Sequence, residues 1–356
     1  VIEIDNEKLT EVKEDLTKRG LFFDEVGRKN IDKKINILNF DDALFSSTLN
    51  KLFDEWSSVS HKVQRIRDNI ESAQSEKQVY KKWDEIITPK IDFSIPSPNK
   101  NLFSKKPKIA LLREQGINGH YDMAAALMEA GFEVHDVHMS ELLDKIKNFD
   151  SYNGLVVPGG FSYGDVLGAG SGMSNTILFN SKIKKIFKNF LENDKKFTLG
   201  ICNGCQFLSG LKEIVPGAEN WPEFKKNLSN QYECRLVQLK IEDSPSIFLK
   251  DMKDSIIPVM VSHGEGRADF NLEEENVIAR YVDPDHKITQ TYPLNPNGSM
   301  NGVAGVCNDD GRITIMMPHP ERTYLTKQFS WSPKDWEEHS PWFKMFDNAY
   351  LFSKKN

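Results

Sequence analysis

Four cysteines in 356 residues are too few for a disulfide scaffold, and a chain without one suits a reducing compartment, so a cytoplasmic location is expected. The sequence also lacks any run approaching the roughly 18 apolar residues that a membrane helix requires. Its acidic opening, VIEIDNEKLTEVKEDL, has none of the basic-then-apolar order of a signal peptide. Basic excess is missing as well: 46 Lys and Arg face 52 Asp and Glu, a formal charge of −6. That balance argues against a general nucleic-acid binder, so neither nucleic acid nor membrane is expected as a partner. No internal repeat is found. What remains is 39% hydrophobic and 28% charged, an ordinary globular composition with room for two domains.

The first hundred residues are poor in glycine and hold no cluster of candidate catalytic side chains. VIEI (1–4) is expected as a strand, and Glu7 to Arg19 as an amphipathic helix closed by Gly20. LFFDEVG and INILNF are further strand candidates, followed by a long helix from about Asp41 to Arg67 and a surface helix near 71–84. Then comes TPKIDFSIPSPNKNLFSKKPK, whose Pro, Ser, Asn and Lys disfavour helix and sheet interiors. The expected organisation is a small α+β segment over 1–88, a linker over 89–106 and a second domain over 107–356.

From Lys108 onward the pattern alternates between strands and helices. KIALL, FEVHDVH, GLVVP and FTLGI are expected strands. Tyr121 to Ala130, Ser140 to Asn148 and Thr176 to Asn193 are the intervening helices. Such alternation predicts an α/β fold, a mostly parallel open sheet with helices on both faces. Between 231 and 318 the segments YECRLVQLKI, IIPVMVSH, VIARYV, GVAGVCN and RITIMM are separated by turns and predict added antiparallel strands.

Three short motifs carry chemistry. In Gly200-Ile201-Cys202-Asn203-Gly204-Cys205-Gln206 a cysteine follows an apolar strand, on a tight turn flanked by small residues. A nucleophile there is pushed out of the sheet over a helix start, where backbone N–H groups favour thiolate. Three blander readings stand beside it: a buried structural cysteine, a C-x-x-C dithiol, and half a zinc site. Neither Cys234 nor Cys307 has a close Cys or His neighbour, so no metal is expected. The second motif is His319-Pro320-Glu321. Histidine titrates near neutral pH and can hold a thiol proton; a carboxylate two residues on can fix its tautomer. The third is Pro158-Gly159-Gly160 after GLVV, where backbone at Gly159 and Gly160 can supply half an oxyanion hole and the Asn203 N–H the other half. The glycines at 168, 170 and 172 lack the G-K-[ST] ending of a phosphate loop, so nucleotide binding there is not expected.

Together these motifs resemble the class I (triad) glutamine amidotransferases. LREQGIN (112–118), GGFSYGDVLGAG (159–170), CNGCQ (202–206), SHGEGR (262–267), YPLNPNGS (292–299) and MPHPER (317–322) look like the glutaminase domain of the phosphoribosylformylglycinamidine synthase family, large single-chain type. The resemblance spans about 106–350. It implies a flavodoxin-like fold, Cys202 as nucleophile, His319 as acid/base and Glu321 as its orienter. By the same resemblance Gly159, Gly160 and Asn203 face the oxyanion, and Gln206, Gly264 and Glu265 contact L-glutamine. His263 is the rival base, set aside because only His319 has a carboxylate in the matching position. VQRIRDN (63–69) resembles the end of the family's synthetase portion. The partner implied is therefore the rest of that portion, upstream, with ATP and magnesium held there and no cofactor in this chain. An alternative is a cysteine hydrolase or chaperone-like protein of the same fold with no amidotransferase role.

Overall fold

The computed structural model describes residues 1–40, 42–83, 85–98, 105–145, 149–270 and 274–356. By compactness the chain divides into Val1–Ser60 and His61–Asn356. The first unit contains α1 (Leu9–Lys18), the antiparallel hairpin of β1 (Lys34–Asn39) and β2 (Asp42–Thr48), and the start of α2 (Leu49–Arg67). None of these elements contains a buried residue. VIEI and LFFDEVG form no strand, since neither finds a pairing partner among the described residues. The helix expected from about 41 begins only at Leu49; Asp41 itself lies outside the described residues. DALFSST instead pairs antiparallel with β1, from Lys34↔Thr48 to Asn39↔Asp42, with one register shift between Ile37 and Leu38. Cross-strand pairing of alternating and β-branched side chains has overridden a weak helical pattern.

The second unit opens with the end of α2 and continues into α3 (Ile70–Lys82), capped by Asn69, whose side chain accepts from the Ser72 amide at 2.9 Å. Its strands are β3 (Lys108–Arg113), β4 (Glu133–His138), β5 (Gly154–Val157), β6 (Phe197–Ile201), β7 (Glu223–Lys225), β8 (Glu233–Ile241), β9 (Ile256–His263), β10 (Arg267–Asp269), β11 (Val277–Tyr281), β12 (Val303–Cys307) and β13 (Ile313–Met316). Its other helices are α4 (His120–Glu129), α5 (Met139–Lys145), α6 (Ser171–Leu178), α7 (Ser181–Glu192), α8 (Asn203–Gly210) and α9 (Phe343–Lys355). Nine strands form one sheet in the order β4-β3-β5-β6-β13-β12-β11-β8-β9. The first five are parallel and the rest antiparallel.

Taken alone, the parallel half has the doubly wound order 2-1-3-4-5. Its chain leaves β3 in one direction for β4 and then returns across it toward β5 and β6. Right-handed crossovers therefore put α4 on one face and α5 to α7 on the other. α9 packs beside α4, and α8 beside α6. With helices on both faces the parallel strands read as unbroken apolar runs: every residue of GLVV, FTLGI and ITIM is buried. The single helix expected over 176–193 is two, because Asn180 breaks it and caps α7 by accepting from Ile183 N at 3.2 Å. The end of the helix expected to Asn148 falls at 146–148, outside the described residues, as does part of the 89–106 segment. Earlier in that segment Lys90 bridges Ile256 at the β9 edge, and α3 also touches the sheet side, where Ser75 Oγ donates to Tyr292 O at 2.6 Å. No helix among the described residues is long and apolar enough to cross a membrane.

The turn from β6 into α8 is tightly packed. A Cβ on Gly204 would sit 1.9 Å from Val157 O, and one on Gly200 2.6 Å from Gly204 O. Both obstacles are backbone and cannot rotate away. Gly204→Ala is therefore expected to lower the unfolding free energy by about 1–3 kcal/mol or more, read from the midpoint of a urea titration. An unchanged midpoint would show that the turn has room to relax.

Candidate active site

The ends of three adjacent strands, β5, β6 and β13, meet at one point, the place where open parallel sheets build sites. Cys202 follows β6 and sits at φ 54°, ψ −108°, a left-handed backbone that a side chain adopts only when its surroundings impose it. Its N–H donates to Met316 O at 2.9 Å, and its carbonyl accepts from Gln206 N at 3.0 Å. That second bond is the first of α8, so the amides of Asn203, Gly204 and Cys205 precede the helical ladder and point toward the cysteine. All four cysteines are free thiols. Cys205, the other half of the C-x-x-C, is fully buried, and burial, reinforced by the neighbouring Cys202, drives its thiol well above the usual range.

Gly159 follows β5 and lies against both catalytic candidates at once. A Cβ added there would come 2.7 Å from His319 Cε1 and 3.3 Å from Cys202 Cβ. The loop is secured from outside: Gly119 N donates to Gly159 O and Phe161 N to Gly116 O, each at 2.9 Å. Gly160 abuts Ile117 and Asn118 so closely that a Cβ would meet Ile117 Cα at 2.5 Å. The three sequence motifs, far apart in the chain, thus share one small volume.

His319 follows β13, and its N–H donates to Met260 O at 2.8 Å. That bridge to β9 is possible because the antiparallel half of the sheet curls back toward the β13 terminus. The ring's Nδ1 donates to Glu321 Oε1 at 2.6 Å, and both side chains are buried. Nε2, the nitrogen left for chemistry, has no hydrogen-bond partner among the described residues. Burial alone depresses the imidazole pKa; the Glu321 carboxylate and the Cys202 sulfur more than reverse this and raise it to about 10.

His263 behaves in the opposite way. It is buried, and desolvation together with the charge on His319 pushes its pKa down to about 3. Asn297 Nδ2 lies 3.2 Å from His263 Nε2; an amide N–H can only donate, so the ring accepts there and is neutral. The β9 terminus that carries it forms the opposite wall of the site. Cys202 Sγ lies 3.5 Å from Ser262 O. Gln206, one turn into α8, donates from Nε2 to Glu265 O at 2.7 Å, and Glu265 Oε2 accepts from Ala169 N at 3.1 Å. Gly264 O accepts from Asn227 N at 2.9 Å. Gln206, Gly264 and Glu265 therefore gather beside Cys202.

Other residues organise the site without having been singled out in the sequence. Asn227 holds the 263–266 turn from inside, with Nδ2 to His263 O and Oδ1 from Gly266 N, at 2.8 and 2.9 Å. Asn297 orients His263, and Tyr232 reaches Ser262 Oγ at 2.7 Å. Asp165 accepts from Asn203 Nδ2 at 3.0 Å. Asn297 and Asp165 lie inside conspicuous motifs, so their presence was visible though their partners were not. Asn227 and Tyr232 carry no local signal. Among the described residues no group of three or more His, Cys, Asp or Glu side chains is arranged to hold a metal ion.

A family model for the CobB/CobQ-like glutamine amidotransferase domain matches residues 106–353. The chain is similar to the structure of PurLQS from Thermotoga maritima, at 27% identity and TM-score 0.54, over 69% of this chain and 98% of that one. It also aligns with a candidate GMP synthase component from Thermoplasma acidophilum, at 17% identity and TM-score 0.42, over 71% and 96% of the two chains. A glutamine amidotransferase from Thermotoga maritima aligns at 16% identity and TM-score 0.38, over 61% and 77%. The match over 106–353 covers every candidate residue of the β5, β6, β9 and β13 termini, and the chain belongs to the CobB/CobQ-like glutamine amidotransferase family, a glutamine-hydrolysing enzyme.

Proposed function

We propose that the chain hydrolyses L-glutamine to glutamate and ammonia through a γ-glutamyl thioester on Cys202, and that the ammonia serves the conversion of formylglycinamide ribonucleotide to formylglycinamidine ribonucleotide in purine biosynthesis. The observation that carries the first half is the meeting of Cys202, His319 and Gly159 at one point, with Glu321 behind the histidine. The second half rests on the motifs shared with the phosphoribosylformylglycinamidine synthases and on the likeness to PurLQS. In this reading ATP and magnesium act at the synthetase portion of the same enzyme, the partner of this glutaminase, in the cytoplasm.

His319 is kept protonated at neutral pH by Glu321 and the Cys202 sulfur, and Cys202 reacts as its thiolate. The thiolate adds to the glutamine amide carbon, and the oxyanion faces the free N–H of Asn203 and the backbone at Gly159 and Gly160. Nε2 of His319 gives its proton to the leaving ammonia. The same nitrogen then takes a proton from water as water attacks the thioester, and glutamate departs. Gln206, Gly264 and Glu265 hold the substrate's amino-acid end. His263, neutral at any physiological pH, packs as a structural residue.

Two measurements test this reading. Cys202→Ala is expected to abolish glutamine hydrolysis while leaving ammonia-dependent synthesis in the complete enzyme; residual glutamine turnover would remove Cys202 from the mechanism. Glu321→Gln takes away the main charge opposing desolvation, so the His319 pKa is expected to fall. Turnover should drop roughly 10²- to 10⁴-fold, the range for an acid–base contribution. An NMR titration of the His319 ring reads the shift, and an unmoved pKa would show that Glu321 does not set the proton's position.

A further inference from the structure

The motif that places the nucleophile contains a residue whose side chain the mechanism above leaves unused. Asn203 follows Cys202, and its backbone N–H is half of the oxyanion site. Its side chain is nevertheless buried and fully engaged. Oδ1 accepts from Ser162 N at 3.3 Å, Nδ2 donates to Asp165 Oδ1 at 3.0 Å, and the same amide nitrogen approaches Gln206 Oε1 at 3.5 Å. Ser162 and Asp165 lie just beyond Gly159 and Gly160, on the loop that carries the other half of the site. One side chain thus joins the nucleophile turn to the oxyanion loop.

That loop needs holding. Tyr163, Gly164 and Asp165 stand at φ 53°, 63° and 55°, three successive left-handed residues of which two carry side chains, an arrangement that persists only where its surroundings impose it. The far side of the loop is tied by Tyr163 OH, which donates to the buried Glu114 at 2.8 Å, and by Tyr163 N to Gln115 O at 2.9 Å. Neither tie touches the nucleophile turn. Ser162 and Asp165 do so, both through Asn203.

We propose that Asp165 is a positioning residue that acts through the Asn203 side chain to fix the two halves of the oxyanion site relative to each other. Asp165 holds the amide group in the rotamer that lets Oδ1 receive Ser162 N, and so keeps Gly159 and Gly160 over Cys202. This rests on Cys202 being the nucleophile, and a Cys202→Ala control that still turned over glutamine would identify failure of that reading separately.

Asp165→Gly removes the acceptor while remaining compatible with the left-handed backbone. Glutamine hydrolysis by the full chain is expected to lose on the order of 10- to 100-fold in kcat with KM little changed, the scale of a misplaced rather than deleted oxyanion donor. Alkylation of Cys202 by iodoacetamide, which develops no oxyanion, should proceed at the wild-type rate. Asp165→Asn keeps an oxygen acceptor and tolerates positive φ, so it should remain within a few-fold of wild type. Wild-type kcat in Asp165→Gly would overturn the proposal. So would Asp165→Asn failing as badly as Asp165→Gly with a raised KM, which would make the carboxylate a direct contact for the substrate's ammonium group. Should the glycine variant not fold, Asn203→Asp sets two carboxylates against each other and should show the same kcat loss. Adding Asp165→Asn restores a donor–acceptor pair with the roles exchanged. Recovery in the double variant supports the bridge, and absence of recovery refutes it.

Discussion

Everything in the site is measured from the backbone of Cys202. A side-chain-bearing residue at φ 54°, ψ −108° costs about 1–3 kcal/mol, and the fold is arranged so that no cheaper geometry is open to it. Its amide is bound to Met316 on one side and its carbonyl starts α8 on the other. Gly204 lies directly on the β5 backbone and Gly200 directly on Gly204, so the turn cannot widen. The chain consequently reverses within one residue, and the sulfur projects beyond the sheet. The first amides of α8 are left unpaired beside it. Strain, the placement of the sulfur and the unpaired amides beside it are consequences of a single tight turn.

A parallel sheet supplies only half of what glutamine chemistry requires. β5 and β6 deliver the loop and the nucleophile, but a substrate wall has to come from elsewhere. The antiparallel strands added beyond β13 curl until β9, at the far edge of the order, meets the segment after β13 through the His319–Met260 bond. The same curl brings Ser262 within 3.5 Å of Cys202 Sγ and Glu265 O within 2.7 Å of Gln206 Nε2. The extension is therefore the second side of the site, and His319, which follows β13, is bonded to β9 across it.

The parallel core was legible because its signals are local. Apolar runs such as GLVV and FTLGI are long enough to mark strands buried on both faces, and small residues around Cys202 mark a turn that side chains would block. Errors arose where non-local pairing decided the outcome. DALFSST reads as the start of a helix until β1 is placed beside it. The helix break at Asn180 hinges on one side-chain cap that competes with a continuous apolar period. At the site, residue types that do chemistry were visible, whereas residues that hold other residues were not. Asn227 is an ordinary polar residue in the sequence and Asn297 stands in a motif with no task attached to it; only the fold reveals that they fix the His263 turn and the His263 ring. Asn203 stood inside the sharpest motif of all, but only its backbone had an assigned task.

The two buried histidines show how far environment, rather than residue type, determines the chemistry. His263 and His319 are equally shielded from solvent and close enough for each to feel the other's charge. Desolvation acts on both in the same direction. For His263 only a backbone contact with Met317 opposes it, and this is outweighed by burial and by the charge on His319; the Asn297 amide that donates to the ring stabilises the neutral form. For His319 a carboxylate at 2.6 Å and the adjacent Cys202 sulfur outweigh desolvation, and the imidazolium becomes the stable form. Protonating His263 would add a second positive charge to a buried site that already holds one on His319, so the site has a single proton to place. Glu321 and Cys202 together determine that it rests on His319.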